Sequence, residues 1–377
     1  MAEVVVIGGG IVGLSISWSL RSRTDLSVVL VEKALCGQGS TAKATGGIRC
    51  QFSSRVNVLL TLESLRYFRD WKTIHGSDVG YRPIGYTFLA TRAQQMEILS
   101  IGASMQRRCG AHVKLLDVSS LADLLPGVEL GGVLGGTLCP DDGLADPGMA
   151  VSSLVSSCRR MGVTVKEQTE VLRIIVESGR VLGVETSAGS IRADSVIVAA
   201  GPSTALLLHG VGFDVPITPR HRQVYHAVDL ENLPAACPFV VDLDTGIYFH
   251  KDGAGLIFGG GDRDGEIGYD DDFRIEEASE TIELLCRRLP QASRARLTGG
   301  WAGIRDMTPD DVGIVGQVPG VDHLLLAAGF SGHGFMHAPA IGEEVARMVN
   351  GEEPGIDLAP LAPDRFGLTS EKESYAF

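Results

Sequence analysis

Residues 4–20 read VVVIGGGIVGLSISWSL, and the reading of this stretch decides the fold. Four β-prone apolar residues, 4–7, lead into Gly8-Gly9-Gly10-Ile11-Val12-Gly13. An apolar run then continues to about Ser22, with Ile11, Leu14 and Trp18 sharing one helical face. The pattern predicts strand, glycine turn and helix, and residues 27–32 supply the second strand of a βαβ unit. A GxGxxG turn at that junction has a mechanical reason. Gly8 permits the tight turn, Gly10 lets backbone approach a pyrophosphate, and Gly13 lets helix and strand pack closely. The phosphates would sit on the free N–H groups of the helix N-terminus, at Ile11 and Val12. Glu32, followed by Lys33, stands roughly 20 residues beyond Gly13, where a carboxylate accepts hydrogen bonds from ribose hydroxyls. An acid there repels a 2′-phosphate, so the expected ligand is a dinucleotide with a free adenosine ribose. The competing reading is a glycine turn with a packing role only.

The chain has 377 residues, enough for roughly two domains. Its 33 basic and 46 acidic side chains give a net charge of −13, which disfavours nucleic acid and anionic membranes as partners. No apolar run approaches the roughly 18 residues needed to cross a bilayer, so no integral membrane segment is expected. The first strand begins at residue 4, so no signal peptide is read and the expected compartment is the cytosol. Seven scattered cysteines, without a CxxC pair or a Cys/His cluster at zinc spacing, lead us to expect reduced thiols and no metal.

Further along, a helix is expected over about 56–71, a strand at YTFLAT (86–91), and helices at 92–110 and 147–161. Strands follow at 163–165, 170–177, 181–186 and 196–200. Residues 81–138 and 216–302 carry mixed, shorter signals and read as an insertion, with strands in QVYHAVDL, GIYFH and GLIFGGG and a charged helix at 276–288. The last part returns to a strand at 323–328, a glycine loop at 329–334 and a helix beginning at Pro339, where a missing N–H costs little. Two further segments bear on the ligand. VIVAAGPS ends a buried strand at Ala200 and Gly201, where backbone can run beside a nucleotide. The loop from Gly329 to Gly334 feeds a helix and suggests a second contact with one long cofactor. A flavin suits that geometry better than a nicotinamide, because a helix N-terminus stabilises negative charge on a reduced flavin. The loop could also be a tight connection and nothing more. A single GxGxxG without a redox-active cysteine pair argues against a two-nucleotide reductase.

Taken together, VVVIGGGIVG with Glu32, GSTAKATGGIRCQF (39–52), DDGLADP (141–147), VIVAAGP, GIYFHKDGAGLIFGGGDRD (246–264), WAGIRDMTPDDVGIVG (301–316) and AAGFSGHGFMHAPAIGE resemble the D-amino acid oxidase (DAO) family of FAD-dependent oxidoreductases. Within it the chain is most similar to the sarcosine oxidase and dye-linked proline dehydrogenase β subunits and to glycine oxidase. The resemblance implies an α/β fold with an α+β insert: a glutathione-reductase-type FAD-binding Rossmann domain (1–82, 141–215, 306–377) carrying an antiparallel-sheet substrate domain (83–140, 216–305). It implies that Ser40 and Thr41 lie by the pyrophosphate and that the Thr45, Gly46, Gly47 and Ile48 backbone passes the isoalloxazine. It places Val171 at the adenine, and Gly332, His333, Gly334, Phe335 and Met336 at the pyrimidine edge.

The same resemblance points to Arg305, in AGIRDMTPD, as the residue that binds a substrate carboxylate through a bidentate fork; the plain alternative is an ion pair with Asp306 or Asp310. Tyr248 matches a tyrosine whose hydroxyl reaches that carboxylate, or is a core tyrosine with a satisfied hydroxyl. Arg49 is expected beside the flavin as a neutralising cation, or paired with Glu63. His333 reads as a loop anchor ahead of a proton acceptor. Gly303 stands where monomeric sarcosine oxidases tether FAD to cysteine, so noncovalent FAD is expected. Ile257 stands where they carry an oxygen-activating lysine, which favours a quinone, a dye-like acceptor or a partner subunit over oxygen; a homo-oligomer is equally compatible. The expected reaction is hydride transfer from a small amino acid or secondary amine to flavin N5. The alternatives are a 2-hydroxy acid or glycerol 3-phosphate dehydrogenase of the same fold, and a flavoprotein assembly factor without turnover.

Overall fold

The computed structural model describes residues 2–230, 237–261, 265–367 and 372–375. In chain order the first part runs β1 (Ala2–Ile7), α1 (Ile11–Arg23), β2 (Val28–Val31), β3 (Gly47–Ile48), α2 (Arg55–His75), β4 (Tyr86–Ala90), α3 (Ala93–Arg108), β5 (Lys114–Leu116), α4 (Val118–Leu124), β6 (Gly135–Cys139) and β7 (Gly143–Leu144). It continues through α5 (Pro147–Arg160), β8 (Thr164–Lys166), β9 (Val171–Glu177), β10 (Arg180–Thr186), β11 (Gly189–Val198), α6 (Thr204–His209), β12 (Thr218–Val228), β13 (Phe239–Asp242), β14 (Tyr248–Asp252) and β15 (Gly255–Gly259). The last elements are α7 (Ala278–Arg288), β16 (Arg296–Met307), β17 (Ile314–Gln317), β18 (Leu324–Ala328) and α8 (Gly334–Val349).

The first sheet has the order β17-β18-β11-β1-β2-β8, with β9 and β10 joined to it through β11. Its central pairs β18–β11, β11–β1, β1–β2 and β2–β8 are parallel. The strand β1 is apolar throughout because both faces are covered. Val4 and Val6 join the cluster formed with α1, α2, α5 and α8, while Val5 and Ile7 join Ile174, Val184 and Leu208 on the other side. The first and third glycines of the turn are sterically required. Gly8 has φ +109°, and a Cβ there would lie 2.3 Å from the Ala199 carbonyl oxygen. A Cβ on Gly13 would lie 1.9 Å from the Gly8 oxygen.

The second sheet has the order β16-β12-β15-β14-β13-β4-β6-β5. It departs from the expected all-antiparallel pattern at one pair, since β4 and β13 run parallel. That pair joins two stretches far apart in sequence, which a hairpin cannot do. One face packs Tyr225, Phe249 and Phe258 under α4 and α7. The other carries Tyr86, Phe88, Phe239, Val241 and Tyr248.

Strand β12 begins at Thr218, ahead of QVYHAVDL, and β16 has no counterpart in the expectation; two further boundaries also differ. Strand β11 begins at Gly189, because its polar first half is an exposed hairpin with β10 that apolar content does not reveal. Helix α8 begins at Gly334, so Pro339 lies inside it and not at its start. Proline there has no N–H to give to the helix, and the next amide, Ala340 N, donates sideways to Ser64 Oγ of α2 at 3.2 Å. The buried face of α8 runs from Phe335 to Ala346, and Gly342 lets it cross α1 with a would-be Cβ only 2.6 Å from Ser15 backbone. Among the described residues no helix is long and apolar enough to cross a membrane, and all seven cysteines are free.

Candidate cofactor and substrate site

At the head of α1 the glycine turn is held open by polar neighbours. The Glu32 carboxylate accepts from Gly9 N at 2.7 Å and Ala34 N at 2.8 Å, which fixes it at the end of β2. Thr41 Oγ1 accepts from Ile11 N at 3.1 Å. A Cβ on Gly10 would meet only that hydroxyl, at 3.3 Å, and one on Gly201 would meet nothing within 4 Å. Protein atoms are thus sparse around the Cβ positions of Gly10 and Gly201. Lys33 Nζ reaches Ser203 Oγ at 3.5 Å, bringing the end of β2 to the Ala200–Gly201 turn after β11. Val171, the first residue of β9, is buried beside Ile7 and Val31. Ser40 turns its hydroxyl to the Ile304 carbonyl at 2.7 Å, linking the 40–43 turn to β16. Trp301 Nε1 donates to the Lys43 carbonyl at 2.8 Å in the same contact.

The 45–51 segment lies between the two sheets. Gly46 has φ +79°, and a side chain there would strike Ala145 O at 2.1 Å; a Cβ on Gly47 would lie 2.8 Å from Tyr86 Oη. Behind it, buried Asp142 accepts from Cys50 N at 2.7 Å and Gln51 Nε2 at 3.2 Å. Burial pushes the Asp142 carboxyl up to about 6. The Cys50 and Cys139 thiols complete a group whose potential ligand atoms lie within 4.8 Å of one another, brought together by folding and not by local spacing.

Arg49 is 1% exposed. Its guanidinium donates to Tyr375 O at 2.9 Å and to Gln51 O, meets His333 Nε2 at 3.1 Å, and stacks 4.0 Å from the Phe52 ring centroid. Glu63, the other partner considered for it, pairs with Arg66 instead. Donation from Arg49 makes His333 Nε2 an acceptor. Burial, then the Arg49 charge, holds the His333 imidazole well below its usual range, and the same two causes take His337 to about 3. His333 is thus a buried, neutral acceptor for Arg49 at the entrance to α8.

Arg305, in β16, lies half-buried beside the second glycine loop, and a Cβ on Gly332 (φ +90°) would stand 3.1 Å from its Nε. The two carboxylates considered as its partners are held elsewhere. Asp306 accepts from Gly329 N at 2.7 Å, and Asp310 binds Arg365 in a bidentate pair at 2.9 and 3.0 Å. Tyr248 is buried with its hydroxyl over Gly259, 2.5 Å from where a Cβ would sit. Burial raises its pKa while Arg305 and Arg222 oppose the shift, so both arginines are electrostatic neighbours of its hydroxyl. Gly329, Gly332 and His333 form the loop, and Gly334, Phe335 and Met336 the first turn of α8. Residues 262–264, the last three of the 246–264 motif, lie outside the described residues.

Tyr86 escaped the sequence reading. It stacks on Phe239 at 4.1 Å and is buried among Arg49, Tyr248 and Arg305. An aromatic in an apolar strand reads as core, and nothing local in the sequence signals its approach to Gly47.

A largely parallel sheet with a GxGxxG turn, joined to a largely antiparallel sheet whose Arg305 lies beside a second glycine loop, matches the class of two-sheet flavin-linked oxidoreductases. The family described as FAD dependent oxidoreductase, DAO, matches residues 3–348, and this chain belongs to it. L-Proline dehydrogenase from P. horikoshii superposes with a TM-score of 0.91 at 28% identity, over 97% of this chain and 98% of that one. FAD-dependent oxidoreductase domain-containing protein 1 of Xenopus laevis is 29% identical, over 97% of this chain and 82% of its own length. Sarcosine oxidase subunit beta of Rhodobacter capsulatus is 26% identical, over 98% and 89%. Some relatives are longer: the chain spans 47% of dimethylglycine dehydrogenase from Rattus norvegicus.

Proposed function

We propose that this protein oxidises a small amino acid or secondary amine, of the proline, sarcosine or glycine type, to its imine. The observation that carries the reading is the Arg305 guanidinium beside Gly332, on the sheet that also presents Tyr248. Bound FAD would supply the two-electron acceptor. Residues 8–13, Glu32 and Thr41 would hold its nucleotide end, and the 45–48 backbone with the first turn of α8 its ring. Arg305 offers a fixed fork to a carboxylate, and Tyr248 a hydroxyl to the same group. Their work is placement, holding the substrate C–H roughly 3–3.5 Å from its acceptor, an effect worth several kcal/mol. No side-chain base is needed for an amine that binds neutral, in keeping with His333 and His337 being buried and uncharged.

Gly303 offers no thiol, and its Cβ position is filled by Lys43 Cβ at 2.5 Å, which supports noncovalent FAD. Ile257 offers no ammonium group, which supports electron transfer to a quinone, a dye-like acceptor or a partner subunit. Residues 1–82, 141–215 and 306–377 are assigned to cofactor binding, and 83–140 with 216–305 to the substrate. Anaerobic bleaching of the yellow holoprotein by proline, sarcosine, glycine, 2-hydroxy acids and glycerol 3-phosphate tests the reading. An amine should bleach it; bleaching by a hydroxy acid alone, or by none of them, overturns it.

A further inference from the structure

We propose that residues 372–375 are a strap that positions Arg49 in the flavin site, making Glu373 and Tyr375 positioning residues. The inference rests on the reading of Arg49 as a cation beside the flavin. The strap is anchored at four places. Glu373 N donates to Asp310 O at 2.9 Å, and Arg365 clamps that same aspartate. Lys372 Nζ lies 3.3 Å from Asp311. The 308–311 stretch, TPDD, thereby docks a segment more than 60 residues away. The Glu373 carboxylate, 3% exposed, accepts from Ser53 N and Oγ, Ser54 N and Oγ, and Asn57 Nδ2, at 2.6–3.3 Å. These donors surround the start of the 21-residue helix α2, where a negative charge is favoured by the helix dipole.

Tyr375 is 1% exposed. Its hydroxyl donates to Ile98 O at 3.1 Å and fills a notch in α3, where a Cβ on Gly102 would lie 1.9 Å from it. Its ring packs on Phe88 of β4, with centroids 5.5 Å apart. With both sides of the residue fixed, its carbonyl is presented to Arg49 Nη2 at 2.9 Å. Another contact of the same guanidinium is His333 Nε2, at the start of α8. The strap thus determines where one donor of a buried cation points. Undocking it takes the Tyr375 carbonyl away from Arg49 Nη2, and a buried guanidinium that loses an acceptor shifts toward its remaining ones.

Sulfite titration of the holoprotein is the test, since sulfite adds to oxidised flavin, leaves it anionic and reports positive charge at the ring without turnover. Arg49→Met should weaken sulfite binding by 10-fold or more with FAD retained. Glu373→Ala should do the same by releasing the strap, and the double variant should be no weaker than Arg49→Met alone. Glu373→Gln, which keeps one acceptor, should fall between and serves if the alanine variant does not fold. Unchanged sulfite affinity in the Glu373 variants, against a loss in Arg49→Met, overturns the strap and leaves the reading of Arg49 standing. Additive losses in the double variant also overturn it. An unchanged Arg49→Met removes Arg49 from the flavin and the strap's role with it.

Discussion

Alanine at Gly10 and at Gly13 should separate two roles that the glycine turn combines. At Gly13 the new methyl carbon would stand 1.9 Å from a backbone oxygen, where ordinary contact begins at 3.4 Å. The head of α1 must then retreat by about 1.5 Å, stretching N–H to phosphate bonds from ~2.9 to ~4.4 Å, beyond hydrogen-bond range. Two such charge-assisted bonds at about 1.5–3 kcal/mol each correspond to a loss of roughly 10²–10⁴ in FAD affinity. Displacing packed backbone should cost the apoprotein about 1–3 kcal/mol as well. At Gly10 the backbone has φ −73°, which any residue adopts, and the methyl would meet only Thr41 Oγ1 at 3.3 Å. The Gly10→Ala apoprotein should therefore melt within about 2 °C of the parent, an effect under roughly 0.5–1 kcal/mol, yet bind FAD at least 100-fold more weakly, because its methyl occupies the pyrophosphate approach. The assays are calorimetry of flavin-free protein and fluorescence titration with FAD. A Gly10→Ala protein that binds FAD within threefold of the parent refutes the placement of the cofactor.

Arg305→Ala should raise KM for the amino acid that bleaches the protein by about 100-fold, the worth of a charge-assisted fork at roughly 2–3 kcal/mol, with flavin content unchanged; an unaltered KM removes Arg305 from the substrate site. Acid precipitation should release the flavin into the supernatant, and yellow pellets would contradict noncovalent binding. The Asp142 carboxyl is raised to about 6 by burial against an ordinary 3.8. For an acid this sign means ionisation is disfavoured in the folded state, so its stabilising share is full below about pH 4 and shrinks as pH rises through 6. Parent stability relative to Asp142→Asn should fall by about 1 kcal/mol between pH 5 and 7 in denaturant melts, whatever the constant offset from the altered Gln51 bond. A flat difference would show that the group ionises at its ordinary pH.

The parts of this protein that were legible in its sequence are those whose reasons are local. Gly8, Gly10 and Gly13 sit within six residues and answer to one turn, and Glu32 closes the adjacent strand. Even so, the distances at Gly8 and Gly13 are set by Ala199 and by the turn's own carbonyl, and the first of these only folding supplies. Pro339 misled because a proline in a helical pattern reads as a start, and the bond that accommodates it comes from Ser64 on another helix. The placement of Tyr86 was illegible because a buried aromatic strand looks the same whatever it packs against. The partners of Arg49 were beyond reach for a similar reason, since Tyr375 lies 326 positions away and acts through its backbone, which has no sequence signature.

The order of strands has a consequence for how the molecule comes to exist. Strand β1 needs β11 and β11 needs β18, while β4 waits for β13, so each sheet encloses unfinished pieces of the other along the chain. During synthesis the second sheet cannot close until about residue 307 has emerged, nor the first until about residue 328, and many closing contacts span a long loop. Such topology makes for slow assembly with exposed apolar strands along the way. Dilute, cool refolding should recover far more protein than rapid concentrated refolding, and cutting the chain between β4 and β13 should yield no half that folds alone.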